Sequence, residues 1–306
     1  MPAGHPAAQV PAADELTLDH VAHFVPHVDG ASSALEKLGF TLTPFSEHSH
    51  RTKPGEPLMP AGAGNRCAIL RHGYLEFLVP TGDTPAAAQL RTAIKRYTGP
   101  HLVAFGTSAP ESDHARLAKG GFAPLEPVAL QREIGTLSGT GTVRFTVVRV
   151  PPGTMPEGRI QFCRHHTPEL LWQPRWMEHA NGAVALNGVV LCVADPREAA
   201  RRFGRFSGLL AQVSGNAWRI ATARGYLMFT DRDTLHRELG IVPPSLPWIA
   251  GCVVESADIA ATGDTIRGSG IPVRVLGNRR LFVNLPPALG GIMIFEPGSS
   301  GALAFD

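Results

Sequence analysis

Cysteine is scarce and scattered in this chain: the four, Cys67, Cys163, Cys192 and Cys252, lie far apart and form no CxxC pair. That excludes a zinc ribbon and a thioredoxin-like dithiol. Each sits in a short apolar run (RCAIL, IQFC, VVLCV, GCVV), the usual setting of a small buried hydrophobe. A charge bias is missing as well. The 28 Lys and Arg stand against 26 Asp and Glu with no run of like charge, so no phosphate-backbone surface is marked and nucleic-acid binding is not expected. No stretch approaches the ~20 apolar residues of a membrane helix, and no membrane partner is expected. The opening MPAGHPAAQVPAADE lacks the basic and apolar regions of a secretory signal. Residues 1–15 read as a flexible lead-in, and the expected localisation is cytoplasmic. TLSGTGTV at 136–143 has no Lys for a phosphate-binding loop, and the absence of a GxSxG elbow leaves serine hydrolase chemistry unsupported.

What is abundant is punctuation. The 33 Gly and 27 Pro divide 306 residues, enough for about two domains, into period-two apolar runs and single amphipathic helices. LTLDHVAHFV reads as a strand, ASSALEKLGF as a helix stopped at Gly39, and NRCAILR and GYLEFLVP as further strands. The same order returns from PHLVAFGTS, from LNGVVLCVADP and from WIAGCVVESAD. Four βαβββ modules result, at 17–80, 100–166, 183–231 and 247–297. His20 lies 20 residues before Phe40 and His101 lies 21 before Phe122, and GYLEF at 73–77 differs from GYLMF at 225–229 in one letter.

Alternation along the first strand puts Leu18, His20, Ala22 and Phe24 on one face and Val21, His23 and Val25 on the other. Glu76, in the middle of an apolar strand, needs a cation or another partner if it is buried. Carried through the repeats, these positions give His20 with Glu76 and His101 with Gln161, then Asn187 with Met228 and Gly251 with Met293. Donors capable of binding a metal thus fall in the first half. Two imidazoles, one carboxylate and one amide suit a divalent ion such as Zn, Ni, Co, Mn or Fe with positions left open; without Gln161 the set is that of a non-haem iron oxygenase. His166 is a reserve ligand in HHTPE, where Thr167, Pro168 and Glu169 also read as a helix start. The polar segment 44–65 is a candidate lid, and Arg71, His72, Arg144 and Arg159 are candidate anchors for an anionic substrate.

The fourfold repeat, LDHVAHFV with its His, GYLEFLVP with its Glu, and GGIMIFEP near the end resemble the vicinal oxygen chelate superfamily and its glyoxalase-like members. The resemblance implies an α+β fold in which the four modules form two open curled β-barrels flanked by helices. The first barrel, 16–180, would bear the metal on His20, Glu76, His101 and Gln161, and the second, 181–306, would be degenerate. It implies a metal-dependent lyase or isomerase acting on a small carbonyl or vicinal-oxygen substrate through an enediolate-like intermediate, with Glu76 as the base. A non-haem Fe(II) extradiol-type dioxygenase and a non-catalytic small-molecule binding or resistance protein are the alternatives. Four modules in one chain allow a monomer, although many relatives form homodimers.

Overall fold

A computed structural model describes residues 9–50, 56–298 and 301–305. The first module runs β1 (Thr17–Phe24), α1 (Val28–Lys37), β2 (Ser46–His50), β3 (Met59–Ile69) and β4 (Tyr74–Pro80). After the connecting helix α2 (Pro85–Arg96), the second runs β5 (Gly99–Gly106), α3 (Pro110–Lys119), β6 (Val128–Thr136), β7 (Gly139–Arg149) and β8 (Arg159–His165). A single turn, α4 (Pro168–Leu171), leads to the third module: β9 (Ala183–Cys192), α5 (Pro196–Ser207), β10 (Ala211–Ser214), β11 (Ala217–Ala221) and β12 (Tyr226–Thr230). Helix α6 (Arg232–Leu239) precedes the fourth: β13 (Trp248–Ser256), α7 (Ile259–Gly268), β14 (Arg274–Val275), β15 (Leu281–Asn284) and β16 (Ile292–Pro297).

The fold is α+β with two eight-stranded mixed sheets, and they differ in closure. The first is a closed barrel in the order β1-β4-β3-β2-β6-β7-β8-β5, whereas the second is an open sheet, β10-β11-β12-β9-β13-β16-β15-β14. Closure depends on β2 reaching β6, where Ser49 pairs with Gln131 and His50 with Leu130. In the second sheet the corresponding strands are cut to four residues in β10 and two in β14, and both remain edges. The side of that sheet equivalent to the barrel interior carries Val190, Tyr226, Met228, Ile292 and Ile294, packed with Leu235 and Leu239 of α6 and with Leu303 and Phe305.

Strand register corrects the face assignment made by alternation. Leu18 pairs with Phe105 and His20 with Ala104, so Asp19 is an extra residue in a β-bulge. Ala22 pairs with Leu102 and His23 with Pro100, so His101 is the extra residue on the opposite strand. A bulge reverses which side chains face inward beyond it. Leu18 accordingly joins the same core cluster as Val21 and Val25, not the face of His20.

Two matched glycines explain the repeated GYL words. Gly73 (φ +72°) and Gly225 (φ +92°) precede β4 and β12 in the left-handed region, which glycine alone adopts freely. A Cβ on Gly73 would lie 2.8 Å from the Asp19 carbonyl oxygen, and one on Gly225 2.8 Å from the Leu18 Cβ. Gln9 is buried and donates its side-chain amide to the Arg71 carbonyl; residues 1–8 lie outside the described residues. Among the described residues no helix is long and apolar enough to cross a membrane.

Candidate metal centre

The interior of the closed barrel holds a cavity of about 550 Å³, its mouth included, lined on one side by His20, His48, Glu76 and Gln161. Glu76 is only 6% exposed, so its charge needs compensation. Asn65 donates its amide to Oε1 of Glu76. His20 Nε2 lies 3.8 Å from Oε2, and His48 Nε2 lies 3.8 Å from Oε1.

His20 is held from behind. Its ring stacks on Tyr74 at 4.5 Å, and its Nδ1–H is donated to Asp19 Oδ2 at 2.6 Å. His165 donates to the same Asp19 oxygen at 3.1 Å. Burial alone would raise the Asp19 carboxyl, but His165 and His20 outweigh it and hold the group well below the ordinary carboxylate range. An ionised Asp19 accepts from Nδ1 of His20 and so turns Nε2 of the ring toward Glu76. Tyr74 is pushed far up by burial, and by Asp19, and stays a neutral phenol.

His48 completes this face. Burial, with Arg132 and His20 adding to it against Glu76 and Asn65, pulls its imidazole down to about 4. It is therefore neutral near pH 7, the form that binds metals. Its Nε2 is buried without a hydrogen-bond partner. Each imidazole thus faces a different oxygen of Glu76 at 3.8 Å, which makes the carboxylate the group that a divalent cation would share with either ring. On the other side of His20, Asp19, His20, Cys163 and His165 place one donor atom each within 4.8 Å of one another, and this buried cluster could also hold a metal. Burial, with Asp19 and Glu76 adding to it, raises the Cys163 thiol far above its ordinary value.

The structure thus brings His20, Glu76 and Gln161 together and leaves apart two of the ligands expected from the sequence. His101 occupies its bulge outside the cavity, with Nε2 at 2.8 Å from the Tyr97 carbonyl and its ring 3.9 Å from that of Tyr97. Its place facing the cavity is taken by Leu102. His166 is exposed, 2.8 Å from the Thr146 hydroxyl, and its neighbour His165 faces inward instead. Thr167 precedes the turn Pro168–Leu171 as read, but its hydroxyl accepts from the Arg144 N–H and not from the turn.

His48 and His165 escaped the sequence reading. His165 shares a face with Gln161 and Cys163 by simple alternation, a signal that was available. His48 lay in the segment read as a lid, of which 46–50 form β2 and 59–65 the first part of β3, while 51–55 fall outside the described residues. In the second sheet, pairing of Tyr226 with Gly188 and of Val253 with Ile294 makes Gly188, Met228, Gly251 and Ile294 the counterparts of His20, Glu76, Leu102 and Gln161. Asn187 matches the bulged Asp19, and Met293 lies one residue off.

Residues 18–206 match the family described as glyoxalase-like domain. No curated protein matches the chain by sequence. A hypothetical protein from Staphylococcus aureus superposes with a TM-score of 0.62 at 12% identity, covering 92% of this chain and 99% of that one. A mutant of 4-hydroxymandelate synthase from Streptomyces coelicolor gives 0.56 at 13% identity, covering 95% of each chain. A catechol 2,3-dioxygenase gives 0.52 at 13% identity, covering 96% of this chain and 91% of that one. At these identities the likeness is one of fold, that of the vicinal oxygen chelate enzymes.

Proposed function

Since the chain belongs to the glyoxalase-like domain family, we propose that it is a metal-dependent lyase or isomerase whose divalent ion is held by His20, His48 and Glu76, with Gln161 beside them. The observation that carries this reading is the buried, partnerless Nε2 of His48 aimed at the same carboxylate that faces Nε2 of His20. When bound, the ion supplies Lewis acidity to adjacent oxygens of a small carbonyl or hydroxycarbonyl substrate.

The chain's own groups do the rest. Asp19 fixes the tautomer of His20 and takes the place of a carboxylate behind a metal-bound imidazole. Asn65 holds Oε1 of Glu76, so Oε2 is the atom that takes and returns the substrate proton. Leu78, Leu102, Leu130, Phe145 and Val147 wall the cavity with apolar surface and strengthen the electrostatics within it.

Two imidazoles and one carboxylate are also the set used by non-haem Fe(II) oxygenases, and this donor count supports a dioxygenase as the second reading. Turnover that requires Fe(II) and oxygen favours it, whereas anaerobic turnover with Ni, Co or Zn favours the lyase or isomerase. The first test is elemental analysis after chelator dialysis and reloading with Mn, Fe, Co, Ni or Zn. Near-stoichiometric uptake by wild type, lost in His20→Ala/Glu76→Ala and weakened in His48→Ala, is expected. No uptake of any of the five by wild type would overturn the reading and favour a metal-free binding protein.

A further inference from the structure

The same cavity contains more positive charge than a metal site needs. Arg132 from β6, Arg149 from β7 and Arg159 from β8 all line it, against the single carboxylate of Glu76. Among the described residues, the arginines with a carboxylate in ion-pair range are all others. The Nε of Arg149 and one Nη of Arg132 are buried with no hydrogen-bond partner. Arg159 reaches a neutral acceptor, the Gln89 side-chain oxygen at 3.4 Å, and lies over the Phe24 ring.

Arg149 and Arg159 form a pair. Arg149 is directly opposite Gln161 across the β7–β8 ladder, and Arg159 is two residues before Gln161, so the two arginines are diagonal neighbours on one face. Diagonal neighbours on a sheet lie roughly 7 to 8 Å apart at Cα, within joint reach of long side chains. Burial, and then the charge of Arg149, pull the Arg159 guanidinium down to about 10 against the opposing pull of Glu76. Two neighbouring guanidiniums in a largely desolvated wall are costly unless an anion joins them. A divalent ion at Glu76 adds to that positive field. Planar N–H forks match a carboxylate in bidentate fashion, which an ammonium does not.

We propose that Arg149 and Arg159 bind a carboxylate of the substrate, so that the molecule turned over at the metal centre is a small carbonyl or hydroxycarbonyl acid held at two points. The inference rests on the metal-dependent reading for its second point of attachment and not for the first. The acid group lies against β7 and β8 next to Gln161, and the oxygens to be polarised lie toward Glu76. Arg132, reaching the Cys67 sulfur at 3.8 Å on its other Nη, adds to the field from β6.

The test compares acids with their neutral amides at fixed ionic strength: pyruvate with pyruvamide, lactate with lactamide, benzoate with benzamide. Binding is measured by calorimetry on chelator-treated and on zinc-reloaded protein. At least one acid is expected to bind tenfold or more tightly than its amide in both forms. That preference should fall at least tenfold in Arg149→Gln/Arg159→Gln, which should still take up metal as wild type does. If the Gln pair does not fold, Arg149→Lys/Arg159→Lys keeps the charge and loses the forks, and its preference should fall several-fold. Amides that bind as well as every acid, or a preference untouched in the folded arginine variants, overturn the proposal even if metal is taken up. Retained acid preference in a protein that binds no metal upholds the arginine site and overturns only the metal-dependent reading.

Discussion

At the scale of single residues, the site depends on a side chain that does not face the substrate. Asp19 accepts from both His20 and His165, and through His20 it sets which nitrogen is presented to Glu76. Asp19→Asn keeps the volume and removes the charge, so the His20 tautomer is no longer enforced. Metal affinity, measured by competition with a chromophoric chelator, should drop about 10- to 100-fold, the usual cost of losing an outer partner of a ligand. An unchanged affinity would place the ion away from His20. Glu76 was legible in the sequence because a carboxylate amid GYLEFLVP demands compensation, and His20 because it recurs with that strand. Asp19 was not, since ideal alternation sends the neighbour of His20 to the opposite face.

At the scale of elements, the two bulges decide which side chains enter the barrel. The spacing of 20 residues from His20 to Phe40 against 21 from His101 to Phe122 already contained the shift, because Leu102 stands 20 before Phe122. Matching His to His hid it. Order and type of the four modules were legible because each strand and helix-stop glycine follows local rules, whereas closure of the first barrel depends on two residue pairs between β2 and β6, which no local pattern announces. The turn before β4 gives a stability test. Gly121 (φ +78°) has open space where a Cβ would sit, so Gly121→Ala costs about 1 kcal/mol of conformational strain. Gly73→Ala adds a 2.8 Å approach to the Asp19 carbonyl oxygen, and should cost about 2 to 4 kcal/mol. Chemical denaturation of the two variants side by side checks the difference. Equal losses would mean that the backbone around Asp19 yields freely.

At the scale of the whole molecule, the halves share one apolar core that runs from Val21 and Phe105 to Val189 and Phe295. Arg202 of α5 grips buried Glu157 of the first half through two bonds of 2.9 and 2.8 Å. Across the same junction His23, fully buried, lies with Nδ1 3.1 Å from the Leu289 carbonyl, while its Nε2 has no partner. Burial pulls its pKa from 6.5 to about 4, the Leu289 carbonyl opposing and His101 assisting. Below pH 6.5 the unfolded chain takes up a proton that the folded chain refuses, so the unfolded state gains. The contribution of His23 is full above about pH 6.5 and is lost as pH falls toward 4, by on the order of 3 kcal/mol. His101, likewise pulled down to about 4 by burial first, adds a loss of the same sign. In His23→Gln the starting stability falls, because the amide fits the pocket less well, but its decline between pH 6.5 and 4 should be shallower than in wild type. Denaturant midpoints across that range separate slope from level. A slope unchanged by the substitution would show that the junction admits a charged imidazole, and that the two halves are joined less tightly than their common core implies.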